Sequence, residues 1–246
     1  MTLALTKRIM RFRRLVIASV IGLSSAAYAF ANPGVAVCAA INTLPLNRLT
    51  GSTLVYARLS DRSHSATVDH LLSEARIRIQ NTFGTPQSIP IVVFFNGESA
   101  FWPFKLNEYG STHFLGPRTC IMVGPKGQNP DVIAHELMHA EIANRVGFWG
   151  RFTRLPAWFD EGLAMQVDFR SQYVLRNGAN SETKFVKTLW SARDFFVPDD
   201  ELLTKNYASA KAEVALWVAD VGKQSVYSEL ERIRRGEAFN AVIKAK

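Results

Sequence analysis

The stretch His135-Glu136-Leu137-Met138-His139 constrains this chain more than any other. On a helix, side chains four apart lie one above the other on the same face. His135 and His139 can therefore each aim an imidazole nitrogen at one metal ion. Glu136, one position round, reaches a water held by that ion. Two neutral imidazoles suit zinc, and a carboxylate beside the water suits a general base for hydrolysis. With five His in 246 residues, chance gives this spacing in roughly one chain in a hundred or fewer. The flanks argue against chance. Asn129 can cap a helix, Pro130 suits its first position and Asp131 its first turn. Val132, Ile133, Leu137, Ala140 and Ala143 supply an apolar pattern, and Gly147 after Arg145 supplies a stop.

The N-terminus reads as a secretory signal peptide over residues 1–31. Lys7, Arg8, Arg11, Arg13 and Arg14 precede the apolar run Leu15 to Leu23, and Ala29-Phe30-Ala31 fits a cleavage site. The alternative is a retained membrane anchor, because residues 15–31 lie at the short limit for a span. Either way the chain is expected to be exported, periplasmic or secreted. Without the leader, 24 Lys and Arg face 21 Asp and Glu, too small a bias to imply nucleic acid. Arg145, Arg151 and Arg154, and again Arg232, Arg234 and Arg235, read as solvated faces. Cys38 and Cys120 can pair in an oxidising compartment or remain two buried thiols.

Residues 32–246 read as one domain with 48% hydrophobic content over the whole chain, enough for a sizeable core. Residues 32–64 look irregular, with one short strand at Thr53 to Tyr56. Ser65 or Thr67 can cap a helix reaching Phe83. The β-branched run Ile89 to Phe95 predicts a buried strand. Residues 99–117 look irregular and aromatic, with Phe101, Trp102, Phe104, Tyr109 and Phe114 suggesting a small core. Thr119 to Val123 then predicts the sheet edge beside the cleft. A helix is expected from Pro156 to about Val167, an exposed connection over 176–183, and a short helical pattern over 184–193. Pro198 to Glu201 suits a helix start, and a longer helix is expected from Tyr207 to Val221 with Ala212, Leu216 and Val218 inward. Two further helices close the chain over 224–235 and 237–245.

A catalytic zinc needs three protein ligands and an open position. A third His on the same segment is absent, since Ile142 and Arg145 occupy the relevant places. Glu161 lies 22 positions after His139 in an apolar helix and supplies the alternative. Its bland reading is a helix surface charge.

His135-Glu136-x-x-His139 together with Trp158-x-x-Glu161-Gly162-x-Ala164 resembles the gluzincin zinc metallopeptidases, most closely the small bacterial peptidase MA-like domains. The resemblance covers about residues 66–240. It implies an α+β, zincin-like (thermolysin-like) catalytic domain, with a small sheet packed on the active-site helix and a mainly helical C-terminal lobe. It implies zinc on His135, His139 and Glu161, with Glu136 as base. Tyr207 stands where such domains often carry an oxyanion-stabilising Tyr; otherwise it is a core or rim residue. Where thermolysin-like enzymes place an Asp four residues after the ligand Glu, this chain has Met165.

Asp160 can accept a ligand imidazole N–H, or can be an exposed helix charge. A peptide or protein substrate could pair with the edge strand expected at 119–123. The expected activity is zinc-dependent hydrolysis of peptide bonds. The alternatives are a binding or assembly factor that keeps the fold without cleaving, and a structural protein anchored by an uncleaved leader. Cys38, N-terminal to the domain, is also a candidate inhibitory thiol.

Overall fold

A computed structural model describes residues 32–44, 46–48, 55–58, 64–97, 106–175 and 178–244. The leader expected over 1–31 lies outside the described residues, as do Thr53, Leu54, Phe101, Trp102, Phe104 and Arg176. Among the described residues, no helix is long and apolar enough to cross a membrane.

The fold is α+β. A five-stranded sheet has the order β1-β2-β3-β5-β4. Its strands are β1 (Asn47–Arg48), β2 (Val55–Arg58), β3 (Ile91–Phe95), β4 (Gly110–Leu115) and β5 (Arg118–Val123). β2, β3 and β5 run parallel, while β1 and β4 are antiparallel to their neighbours. Helix α1 (Pro33–Ala39) precedes the sheet and α2 (His64–Phe83) crosses from β2 to β3.

After β5 the chain is helical. It runs through α3 (Pro130–Val146), α4 (Phe148–Arg154), α5 (Ala157–Ala164), α6 (Ala192–Phe195), α7 (Asp200–Val221), α8 (Val226–Arg234) and α9 (Phe239–Ile243).

β3 shows why its sequence is apolar throughout. Val92 and Phe94 join the main core with α2, α3, α5 and α7. Val93 and Phe95 join a smaller cluster with Val37, Cys38, Ile41 and Met122. A strand covered on both faces needs no polar alternation. The helix α1, in a stretch expected to be irregular, supplies the second cover. A Cys38–Cys120 disulfide joins it to β5 across 82 positions of sequence, with Cα atoms 6.0 Å apart.

Other expectations are corrected. β5 is not the sheet edge. β4 pairs with it through Gly116-Pro117, with Gly116 at φ +62°. β4 escaped notice because each of its residues is only half-buried, so it carries no hydrophobic alternation. His64 already lies in α2, so neither Ser65 nor Thr67 caps it. Helix α4 was not expected at all.

α7 is one helix from Asp200, capped by the Asp199 side chain on the Leu202 N–H at 2.7 Å, and Tyr207 lies inside it. Leu216 faces out, 58% exposed, while Ala210, Val214, Trp217 and Val218 form the buried stripe. At 100° per residue, position 216 lies opposite position 214. Thr183 is buried against Glu213, not part of an exposed connection. Arg145 is no solvated charge either. It is buried between Glu141 and Glu231, with contacts of 2.7 Å to each.

Gly162 fixes how α5 meets α7. A Cβ there would lie 2.5 Å from the Ala210 carbonyl oxygen and 2.6 Å from Val214 Cγ2. Glycine lets the two helices close to this distance. Replacing both cysteines, Cys38→Ser with Cys120→Ser, is expected to lower unfolding stability by about 4 kcal/mol. Urea unfolding followed by circular dichroism measures the loss.

Candidate metal centre

α3 has the boundaries its sequence prescribes. The Asn129 side chain accepts the Val132 N–H at 3.0 Å, Pro130 opens the helix and Gly147, at φ +83°, closes it. The helix lies between the sheet and the later helices, and nearly all of it is buried. His135 and His139 are both buried. They face α5, which carries Asp160 and Glu161. α5 begins at Ala157, with Pro156 as the residue before it.

Three atoms converge. His135 Nε2 lies 3.0 Å from His139 Nε2, and each lies 3.3 Å from Glu161 Oε2. All three residues are buried. A tetrahedral zinc site with bonds of roughly 2.0–2.1 Å separates its ligand atoms by about 3.3 Å, so these spacings fit one ion. Among the described residues, Glu161 Oε2 has no hydrogen-bond partner, although a buried carboxylate oxygen requires one. His139 supplies a second fit. Its Nδ1 lies 3.0 Å from Asp160 Oδ1, a bond that puts the proton on Nδ1 and leaves the Nε2 lone pair facing the other two ligand atoms. His135, His139 and Glu161 could therefore hold a metal ion.

The electrostatics agree. Burial opposes charge on His139, but Glu161 and Asp160 outweigh it and hold its pKa well above the ordinary imidazole value. Burial likewise opposes ionisation of Glu161, but His139 and His135 hold its pKa below the usual carboxylate range. The pocket thus favours an ionised carboxylate and positive charge beside it.

The surrounding residues complete the centre. Asp160 bonds His139 on one side and Arg151 Nη2 on the other, at 2.5 Å. It is 5% exposed, so the surface-charge alternative fails. Met165 is in the core, but Asp168 stands with Oδ2 3.9 Å from His135 Nδ1. Arg170 grips Asp168 through Nε and Nη2 at 2.5–3.0 Å. Burial pushes the Asp168 pKa up, but Arg170 and His135 together bring it below the ordinary value.

Glu136 is 7% exposed. The Thr112 hydroxyl of β4 lies 2.7 Å from its Oε2 and 3.1 Å from its main-chain oxygen. A Cβ on Gly110 would come within 2.8 Å of Glu136 Oε1 and Val132 Cγ1, so only glycine lets the strand approach so closely. Tyr207 is half-buried, its ring centroid 6.1 Å from that of His135. Burial and the Glu161 and Glu136 carboxylates push its pKa well above the normal phenol value, so its hydroxyl keeps its proton. Glu136, His135, Gly110, Tyr109, Tyr173 and Tyr207 line one cleft of about 460 Å³.

Sequence reasoning named Asp160 but missed Asp168, Thr112, Arg151 and Arg170. Asp168 follows Glu161 by seven positions and lies beyond the end of α5, where helical spacing gives no signal. Thr112 belongs to the unrecognised strand. His113 sits elsewhere, on β4, with Nε2 3.0 Å from Ser111 Oγ. Cys38 is disulfide-bonded, so it offers no thiol to the centre. No protein-family profile matches the chain, and no curated protein matches it.

Equilibrium dialysis of the folded chain is expected to give one divalent ion per chain. Asp160→Asn and Asp168→Asn should each weaken that binding by about 10–100-fold.

Proposed function

We propose that this chain is a gluzincin-type, zincin-like metallopeptidase that hydrolyses peptide bonds, with zinc on His135, His139 and Glu161. The observation that carries the reading is the position of Glu136. A base carboxylate stands one residue from a ligand histidine, held by Thr112, on the wall of an open cleft. A structural metal site closes all its positions with protein ligands, whereas a catalytic one keeps a place for water. Three candidate ligands and an adjacent base fit the second kind.

Zinc, when bound, supplies a Lewis acid that makes water nucleophilic near neutral pH and polarises a carbonyl. The other steps belong to side chains of this chain. Glu136 accepts the proton of the attacking water and then gives it to the leaving nitrogen. The Thr112 hydroxyl, donating to Oε2, leaves Oε1 for that exchange. The Tyr207 hydroxyl, held protonated by its surroundings, can donate to the carbonyl oxygen as negative charge develops there. Asp160 orients the His139 imidazole, and the Asp168 carboxylate faces His135 Nδ1 across 3.9 Å.

β4 is the edge against which an extended substrate can lie, in place of β5. It is one of the two outer strands of the described sheet, and its Gly110 lines the cleft. Main-chain pairing to such an edge recognises any extended peptide, which supports a peptide or protein substrate over a small metabolite. The leader-like N-terminus and the Cys38–Cys120 pair together support export to an oxidising compartment.

The deciding experiment compares the zinc-loaded parent with Glu136→Gln on a broad peptide library. Both should hold one zinc per chain, and only the parent should cleave. A zinc-loaded parent without turnover would leave the binding or assembly factor as the reading. Tyr207→Phe should retain zinc and lose about 10²–10³-fold in kcat with little change in KM.

A further inference from the structure

Helix α4 joins the two ligand-bearing helices, and the metal centre uses only its inner side. Arg151 points inward, to Asp160 and over the Phe114 ring at 4.0 Å. The outer side has a different character. Trp149 is 75% exposed and Phe152 is 55% exposed. Phe148 is half-buried between them, with ring centroids 5.0 Å and 5.1 Å away. Two large aromatic side chains thus stand out from one helix of seven residues.

Exposed arginines cluster around them. Arg154 on α4, Arg234 and Arg235 at the end of α8, and Arg118 at the start of β5 are all exposed. Main-chain bonds hold two of them beside α4. Arg154 Nη1 donates to the Ile233 carbonyl at 2.9 Å, and Arg234 Nη1 donates to the Asn144 carbonyl at 3.1 Å. Arg118, Phe148 and Arg234 border one cavity of about 510 Å³. Among the described residues, none of these four arginines has an ion pair. The nearby carboxylates are engaged elsewhere. Glu231 pairs with Arg145, Glu229 and Glu237 pair with Arg232, and Asp160 pairs with Arg151.

We propose that α4, through Trp149 and Phe152 and the flanking Arg118, Arg154, Arg234 and Arg235, docks the protein on a bilayer of anionic phospholipid. Tryptophan and phenylalanine settle at the headgroup level, where one end of the side chain is apolar and the other wet. Arginine pairs bidentately with phosphate, and each cation near an anionic surface adds to the attraction. Neither contribution holds a protein firmly alone, but the two together do. Trp149 meets the Phe148 ring edge-on but does not line the neighbouring cavity. That suits a fluid interface better than the fixed surface of an acidic protein. Docking there would hold the cleft close to the bilayer, whether or not the centre hydrolyses peptides.

The test is co-sedimentation of the full chain with two kinds of vesicle, phosphatidylcholine alone and phosphatidylcholine with a third of phosphatidylglycerol. The parent is expected to bind the anionic vesicles and to leave the neutral ones largely unbound. Trp149→Ser with Phe152→Ser, and separately Arg118→Glu with Arg234→Glu, should each reduce binding about tenfold or more. Circular dichroism and zinc stoichiometry should stay as in the parent. The leader is common to all arms, so membrane binding through it would appear as equal binding by parent and variants. That equality would overturn the proposal. So would equal binding to neutral and anionic vesicles, or retention on soluble polyglutamate without any on vesicles.

Discussion

An ionisable group taken out of water must find an opposite charge, a hydrogen bond or a metal. This fold takes several out together and satisfies them in chains. Arg151 holds Asp160, and Asp160 holds His139. Arg170 holds Asp168, which faces His135. The two imidazoles meet Glu161 where these chains end. On the far side of α3, Glu141 is fully buried. It accepts the N–H groups of Gln87 and Ser88 at 2.8 and 2.7 Å, as well as Arg145. The same helix therefore fixes the entrance to β3 and presents the metal centre. Removing one member of such a chain strands the next.

The parts of this arrangement that could be read from sequence are those set by local rules. Asn129, Pro130 and Gly147 bound α3 through capping and backbone conformation, so its limits were legible. The spacing of His135 and His139 needs only helical geometry. Glu161 was legible because an acidic residue in so apolar a helix, beside Trp158 and Leu163, demands a partner. Asp160 was legible only as one of two alternatives, because its burial depends on Arg151 of α4, a helix with no sequence signal of its own. Aromatics and arginines in Phe148 to Arg154 show neither an apolar stripe nor a cap.

What stayed hidden was set by contacts distant in sequence. β4 has half-buried residues throughout and so no period, and its assignment as the edge rests on pairing with β5. Once β4 is placed, Thr112 and Gly110 acquire their roles beside Glu136. Asp168 reaches His135 only because the chain turns sharply after α5. The outward position of Leu216 likewise depends on which face of α7 meets α5, a choice made by the Gly162 contact and not by the composition of α7.

The tightness of that contact governs how the cleft can breathe. With Gly162 against the Ala210 carbonyl, α5 and α7 interlock and cannot slip past one another. Glu161 on α5 and Tyr207 on α7 are therefore tied to each other through this one close packing. The opposite rim of the cleft is formed by Asn107 to Gly110, which lead into β4. The two helices that carry Glu161 and Tyr207 are thus locked to each other at one glycine, while the rim at Asn107 to Gly110 is not part of that contact.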